Sequence, residues 1–594
     1  MSTYTPPLRD INFVLEHIAG LPELARLDDF EHADPQTVSG LLEEAGRFCA
    51  EAVAPTNREG DLQGSRLQDD GSVRTPDPFK KAYNQYVEAG WGTIQHPAAF
   101  GGGAFPLLVA NAVKEMLTSA NMAFSLCPLL TTGAVIDLLE HGSDELQQTY
   151  LPRMVTGEWT GTMNLTEPQA GSDVGALTTR AQPVEDGSYR ITGQKIFITY
   201  GEQDLTENII HLVLARLPDA PRGTKGISLF VVPKFLVNDD GSLGQRNDVR
   251  CVGVEHKLGI HASPTCVMAY GEEGDGAVGY LIGQPHQGMR QMFTMMNDAR
   301  LGVGLEGLAI AERAYQDAVS YARERRQGTA PRDDELERDQ SRIVKHPDVR
   351  RMLMTQRAYI EAMRCLTYAN AAAIDRSHHH PDEVVREDSR KLADLLTPLS
   401  KAWCTDLGVE LTSLAVQVHG GMGYVEETGV AQHYRDARIA PIYEGTNGIQ
   451  ALDLVGRKLP YDGGGFVRSF IAGMRETAAQ LQDGQLGSIA SRLSEALDAL
   501  EQATEWLLEH RESFEDAFGA ATPYLRLMAT TVGGWYLARS AARAVELGTA
   551  EPFHADKVVT AKFYAEQLLP QVHGLKAAVT AGAGDLYAID EDRL

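Results

Sequence analysis

Cysteine is scarce in this chain: six residues in 594, at Cys49, Cys127, Cys251, Cys266, Cys365 and Cys404. No two stand in C-x-x-C spacing. The scatter suits reduced, mostly buried thiols better than a disulfide framework or a zinc site. Positive charge is also short, with 54 Lys and Arg against 81 Asp and Glu and a formal charge of −27. That balance argues against nonspecific binding to nucleic acid or anionic membranes. An anionic ligand must therefore meet local arginines or backbone N–H groups. No uninterrupted apolar stretch reaches the roughly 20 residues that span a bilayer. Arg9, Asp10 and Glu16 break up the N-terminus, so no secretory signal is read there and a cytoplasmic location is the default expectation. Long-period repeats and low-complexity tracts are lacking too.

What is present is an ordinary globular composition, 43% apolar, in a chain too long for one hydrophobic core. Residues 1–158 read as helical. Asp34 is a candidate N-cap with Pro35 at the first helical position. Gly101-Gly102-Gly103 reads as a loop, and 107–120 as a further helix. From 159 to 285 the signals are those of strands. Asp186-Gly187 is a turn, 189–192 alternates, and 209–217 and 227–232 are apolar runs with β-branched residues, the second stopped by Pro233. A small, largely antiparallel β-domain is the simplest account. Helical periodicity returns over 286–459. Within it, 332–345 is highly charged and reads as an exposed loop or helix extension. Pro460 and Gly463-Gly464-Gly465 mark a linker to an appended helical region, 460–594, in which Ile489, Leu493, Leu497, Leu500 and Leu507 define an amphipathic face. His378-His379-His380 precedes Pro381 and reads as a surface loop, with no metal assigned. The fold class expected is α+β, mainly α.

The segment Ile442-Tyr443-Glu444-Gly445-Thr446-Asn447-Gly448-Ile449-Gln450 holds one carboxylate between an aromatic ring and small polar residues. A carboxylate shielded from water can serve as a base. Glycines at 445 and 448 let backbone approach a ligand, although a surface turn has the same composition. A second segment stands far upstream, Leu165-Thr166-Glu167-Pro168-Gln169-Ala170-Gly171-Ser172-Asp173. Gly171 and Ser172 there can offer N–H groups and a hydroxyl to phosphate oxygens, or Asp173 can simply cap a turn. Lys195-Ile196-Phe197-Ile198-Thr199-Tyr200-Gly201 reads as a strand with an alternating apolar face. Gln417-Val418-His419-Gly420-Gly421-Met422-Gly423-Tyr424 is a glycine-rich turn.

Together these segments resemble the acyl-CoA dehydrogenase family of flavoenzymes, in its long bacterial branch that includes 3-methylmercaptopropionyl-CoA dehydrogenases. The resemblance runs through residues 40–459. It implies an N-terminal helical domain, a middle β-domain, a C-terminal four-helix bundle and the appended helices, with FAD as cofactor. It places Met163, Leu165, Thr166, Gly171 and Ser172 against the cofactor, Phe197 packed on the flavin, and Thr199 at the flavin N5 and O4 edge. Gln417, Gly421 and Arg325 would hold the FAD pyrophosphate across a dimer interface, a task suited to a guanidinium fork. Thr446 and Gly448 are further cofactor positions. Ser172, Arg300, Tyr443 and Gly445 fall on the substrate side. Asn297 stands where the family often has aspartate, with Asp298 displaced by one, so the coenzyme A contacts there depart from the pattern.

The resemblance also implies the chemistry. Glu444 takes the α-proton of an acyl-CoA thioester, its own N–H helps polarise the carbonyl, and flavin N5 takes the β-hydride to leave a trans-2-enoyl-CoA. Tyr443 and an apolar shell should raise the Glu444 pKa by desolvation. An electron-transfer flavoprotein is the expected acceptor and a homodimer the expected assembly. The acyl group, methylthiopropionyl or short to medium chain, is left open. Two other readings stand beside this one: an acyl-CoA oxidase handing electrons to oxygen, and a non-catalytic scaffold that kept the fold. A nitroalkane oxidase is disfavoured because that branch is expected to use aspartate as base.

Overall fold

The computed structural model describes residues 3–331, 333 and 340–594. Half of the charged stretch expected as a loop or helix extension lies outside them; at its described end, Ile343–Lys345 forms one 3₁₀ turn. Contacts divide the chain into two compact units. One holds Glu44–Phe105 and Met116–Ala299, the other Met1–Glu43, Pro106–Glu115 and Arg300–Leu594.

The first unit is built on helix α1 (Met122–His141) and an eight-stranded sheet: β1 (Thr160–Asn164), β2 (Arg180–Pro183), β3 (Tyr189–Thr199), β4 (Ile209–Arg216), β5 (Ile227–Pro233), β6 (Val249–Val254), β7 (Thr265–Tyr270) and β8 (Ala277–Ile282). The order is β6-β7-β3-β8-β5-β4-β1, with β2 bridging β3 and β4. Only the β1–β4 and β2–β4 pairings are parallel, so the largely antiparallel domain expected from the strand pattern is found. The two continuous apolar runs became β4 and β5, buried along almost their whole length, as strands covered on both faces must be. α1 begins where the Asn121 side chain accepts from the Phe124 N–H at 3.1 Å. By length and composition α1 could cross a membrane, but 83% of its most apolar window is buried in the protein; it is a core helix. It lies directly on β1, because a Cβ at Gly161 would fall 2.5 Å from the Ala134 methyl. That contact fixes the strand that leads into the Thr166 loop.

The second unit is helical. Its long members are α2 (Gly288–Glu324, which starts in the first unit), α3 (Pro347–His379), α4 (Glu383–Pro398), α5 (Cys404–His419), the short α6 (Asn447–Asp453), α7 (Gly465–Leu481), α8 (Gly487–Glu509), α9 (Ala521–Leu547) and α10 (Pro552–Phe563). The helix expected after Asp34 is Pro35–Phe48, and the Asp34 carboxylate accepts from the Gln36 and Thr37 N–H groups. The predicted face of α8 is buried at every named position.

The linker expected at 460–465 takes the form of a sharp kink: Asp462, Gly463 and Gly464 all take positive φ, and Gly465 already begins α7. One expectation is corrected. The three histidines do not form a loop. His378 and His379 complete the last turn of α3, and His379 Nδ1 lies 2.7 Å from the Asp29 carboxylate. Spacing alone could not show that partner.

A buried ion network ties sequence-distant parts of the helical unit together. Arg364 of α3 donates to Glu115 at 2.6 Å, to Glu312 at 2.9 Å and to Asp10. Lys557 of α10 donates to Asp10 and, at 3.0 Å, to Glu361. Arg364 and Lys557 have side chains 1% exposed. Each charge is thus balanced by carboxylates, without which burial would be prohibitive.

Candidate active site

Glu444 sits in the helical unit on a two-residue reversal. Its φ is +55° and that of Gly445 is +84°. Glutamate rarely adopts this region, so the loop holds it there against local preference. The reversal is pinned on both sides. Tyr443 N–H and Ile442 N–H donate to Ile439 O, and Asn447 N–H donates to Pro441 O at 3.0 Å. Thr446 then caps α6, its hydroxyl accepting from Ile449 N–H at 3.2 Å. Gly445 is required twice over, since a Cβ there would meet Gln450 Nε2 at 2.8 Å in addition to the positive φ. Gly448 has no such constraint; its nearest neighbour is the Thr446 hydroxyl at 3.8 Å. Among the described residues, the Glu444 N–H meets no acceptor.

The charges around Glu444 come from two helices. Arg300 and Glu306 lie on α2. Lys401 lies in the π-helical turn Leu399–Trp403 that leads into α5, a distortion that recurs at functional sites. Glycine brings these helices into backbone contact. A Cβ at Gly304 would fall 2.5 Å from Ser400 O, and one at Gly307 would fall 2.1 Å from Cys404 O. Lys401 Nζ donates to Asn447 Oδ1 at 2.8 Å, while Asn447 Nδ2 reaches Ala402 O, Thr405 Oγ1 and Asp406 Oδ1. The Tyr443 hydroxyl donates to Glu306 Oε2. Burial raises the Glu444 pKa, Arg300 and Lys401 oppose it, and the result is about 7. Glu444 is half-buried, whereas Glu306 and Lys401 are fully enclosed. Burial lowers Lys401 to about 8 against the pull of Glu444 and Glu306. Arg300 is lowered by burial and raised by Asp453 and Glu444.

In the β-unit, the cofactor candidates gather around a buried pair. Lys195 of β3 donates to Glu167 Oε1 at 2.8 Å and to Leu165 O at 3.0 Å. Glu167 also accepts from the N–H and hydroxyl groups of both Thr178 and Thr179. Burial alone would raise its pKa; Lys195 and these donors overcome that and leave it at about 2. The loop carrying Thr166 is therefore held from within. β3 is not the regular strand that its alternation suggests. Its register against β7 slips between Ile198 and Lys195, a bulge that frees Ile196 N–H to donate to Thr166 O at 2.9 Å. Phe197 takes φ +59° and the residue is left 59% exposed. Thr199 continues beside it, its carbonyl accepting from the Thr162 hydroxyl at 2.7 Å. Met163 lies in β1 just before its last residue, and Gly171 and Ser172 are exposed with open space around the Gly171 Cα.

A third group lies at the far ends of α2 and α5. Tyr321 stacks on His419 with centroids 4.4 Å apart, which brings Arg325, Gln417 and Gly421 to the same end of the helical unit, all exposed. Gly420 makes the turn with φ +60°, and Gly423 is packed so that a Cβ would meet Val416 O at 2.3 Å. Asn297 is exposed one turn before Arg300 on α2.

Sequence reading gave no role to Glu306, Lys401 or the Glu167–Lys195 pair. A signal existed: each of Glu306 and Lys401 is a lone charge in a run of apolar and small residues, Gly304-Leu305-Glu306-Gly307-Leu308 and Leu399-Ser400-Lys401-Ala402-Trp403.

A helical N-terminal part, a middle antiparallel β-domain and a helical bundle carrying a desolvated glutamate define a flavin-dependent acyl-thioester dehydrogenase architecture. The chain belongs to the acyl-CoA dehydrogenase family. Residues 36–158, 162–271 and 286–459 match its N-terminal, middle and C-terminal domains, and 470–590 match a C-terminal domain described as acetyl-CoA dehydrogenase C-terminal like. The chain is 47% identical to the 3-methylmercaptopropionyl-CoA dehydrogenase of Ruegeria pomeroyi, over 97% of this chain and 98% of that one. It is 34% identical to the broad-specificity linear acyl-CoA dehydrogenase FadE5 of Mycobacterium tuberculosis, over the whole of both chains. Among solved structures, the acyl-CoA dehydrogenase of Bacillus anthracis complexed with FAD shares the fold, with a TM-score of 0.74 at 19% identity, over 92% of this chain and 88% of that one.

Proposed function

We propose that this chain oxidises 3-methylmercaptopropionyl-CoA, or a short acyl-CoA of similar size, to the trans-2-enoyl-CoA. The similarity to the Ruegeria pomeroyi enzyme along nearly the whole chain supports that substrate class. The observation that carries the chemistry is Glu444, a carboxylate with its proton affinity raised to about 7 by burial and held on a strained turn. A base poised there is half-ionised near neutral pH and strong enough to take a weakly acidic proton.

The residues of this chain fit FAD. A large ring left exposed on a backbone that disfavours it, at Phe197, is what a flat aromatic partner would cover. Thr166 and Thr199 would hold the heterocycle edge, with Met163 and Leu165 beside it, and Gly171 and Ser172 would meet phosphate oxygens. Arg325, Gln417 and Gly421 would bind the pyrophosphate in a homodimer, and Thr446 and Gly448 are further cofactor positions. FAD, when bound, supplies the acceptor for the β-hydride.

The protein's own part follows from its geometry. Glu444 removes the α-proton and holds it on a carboxyl oxygen. The Glu444 N–H, free of acceptors among the described residues, donates to the thioester oxygen as negative charge builds there. Arg300 and Lys401 keep the carboxylate available by opposing the effect of burial. In the helical unit, Arg300, Tyr443 and Gly445 would line the substrate; Asn297 and Ser172 are further substrate candidates. Electrons then leave to an electron-transfer flavoprotein.

The test is an anaerobic screen of acyl-CoAs with the flavin-loaded protein, following loss of flavin absorbance. Bleaching fastest with 3-methylmercaptopropionyl-CoA and butyryl-CoA is expected. Preference for long acyl chains would overturn the substrate assignment. Oxygen uptake at the same rate as turnover would replace the flavoprotein acceptor by oxygen.

A further inference from the structure

Glu306 is a second carboxyl in the cluster of the base, and the reaction as derived does not use it. Its side chain is buried on α2 with the residue 1% exposed. Oε2 accepts from the Tyr443 hydroxyl, whose residue is bonded directly to Glu444 in the chain. Oε1 is buried and, among the described residues, has no hydrogen-bond partner. Three groups face it: the Tyr443 hydroxyl and the Glu444 carboxylate from the loop, and the Lys401 ammonium from the π-helical turn. Lys401 already donates to Asn447. An ionised carboxylate with one oxygen left bare in this setting would be heavily penalised. A neutral carboxylic acid needs far less.

We propose that Glu306 is a positioning residue for the base: held as a neutral carboxylic acid, it anchors the Tyr443 hydroxyl and keeps a second negative charge away from Glu444. This rests on Glu444 being the base of the proposed reaction. The Tyr443 ring is the lever. Its hydroxyl end is fixed on α2 and its backbone end is the residue before the strained turn, so the carboxyl of Glu306 sets where that turn stands. The order of ionisation agrees with the geometry. Burial, the Glu444 charge and the opposing Tyr443 and Lys401 contacts leave Glu306 at about 8, above Glu444 at about 7. At neutral pH the base can be charged while its neighbour is not. Above about pH 8 Glu306 ionises as well. The ionised carboxyl on α2 then faces the ionised Glu444 on the loop, and Glu444 is pulled toward Lys401.

Two measurements on the flavin-loaded protein test this. The first is infrared difference spectroscopy of the carboxyl C=O stretch in a pH titration, which needs no turnover. A protonated-carboxyl band that survives at pH 7.5 in Glu444→Gln and is missing in Glu306→Gln is expected. A spectrum in which Glu306→Gln removes no such band overturns the proposal, whatever substrate the protein uses. The second is the pH profile of flavin reduction by the best acyl-CoA. The wild type should rise through about pH 7 and fall through about pH 8. Glu306→Gln, whose amide oxygen still accepts from Tyr443, should keep the rise and lose the fall. Persistence of the fall in Glu306→Gln and its loss in Lys401→Met would assign that limb to Lys401 and overturn the proposal. Glu306→Leu, which leaves the Tyr443 hydroxyl without an acceptor, should slow reduction about tenfold or more through misplacement of the base, with the flavin still bound. Failure of every acyl-CoA to bleach the flavin would sink the dehydrogenase reading and leave the infrared result to stand alone.

Discussion

Lys401 Nζ donates to Asn447 Oδ1 at 2.8 Å, and Asn447 is the third residue after Glu444. A buried ammonium on one helix is thereby fastened to the first residue of the short helix that follows the base. The same ammonium opposes the burial of Glu444 electrostatically. Lys401→Met should remove both effects. The base is then less acidic still, and the rising limb of flavin reduction should move up in pH. A limb that stays in place would show that Lys401 is only a packing group.

Close helix contact makes this arrangement possible. Gly307→Ala forces a methyl to within 2.1 Å of Cys404 O. The helices must part, at a cost of about 1–3 kcal/mol, and Glu306 and Lys401 move with them. Thermal unfolding should show the loss, and the pH profile of flavin reduction should change with it. Full stability in Gly307→Ala would mean that the helices are less tightly apposed than the backbone positions indicate.

Stability should depend on pH with a definite sign. Glu444 and Glu306 have folded pKa values raised from 4.5 to about 7 and about 8. Their contribution is fully present below pH 4.5 and is lost as pH rises through those values. These two carboxyls should therefore contribute on the order of 2–3 kcal/mol less at pH 8.5 than at pH 6, once partial solvent access to Glu444 is allowed for. Glu306→Gln should flatten part of that slope. Denaturant titrations at the two pH values measure it.

In the β-unit, Lys195→Met leaves Glu167 buried without its counter-charge and releases Leu165 O. A loss of about 3–5 kcal/mol is expected, together with weaker flavin retention during gel filtration. Glu167 has its folded value depressed to about 2. Its contribution is present above pH 4.5 and lost as pH falls toward 2, so the wild-type protein should show this loss in acid and the double variant Glu167→Gln/Lys195→Met should not.

Much of the fold was legible in the sequence because its signals are local. Pro35 after Asp34, the apolar runs that became β4 and β5, and the leucine spacing of α8 each carry their own structure. Glu444, Phe197 and Thr199 could be singled out as candidates because they sit in long, specific segments. The bulge that turns Phe197 outward was not legible, since it depends on the register of β3 against β7 rather than on any residue in β3. Glu306 and Lys401 stand far apart in the chain and meet only through glycines in facing helices, so neither could be joined to Glu444 by spacing. The His379–Asp29 pair and the Arg364 network were hidden for the same reason: tertiary contacts between oppositely charged residues leave no period to read.

The most direct test of the central claim is a stopped-flow comparison of flavin reduction in wild type and Glu444→Gln under anaerobic 3-methylmercaptopropionyl-CoA. Glu444→Gln should keep its yellow colour and still bind the thioester, seen as a shift in the flavin spectrum. Its reduction should be slower by about 10²–10⁴-fold, the span of general-base catalysis. Reduction of Glu444→Gln at the wild-type rate would contradict the account and place the base elsewhere.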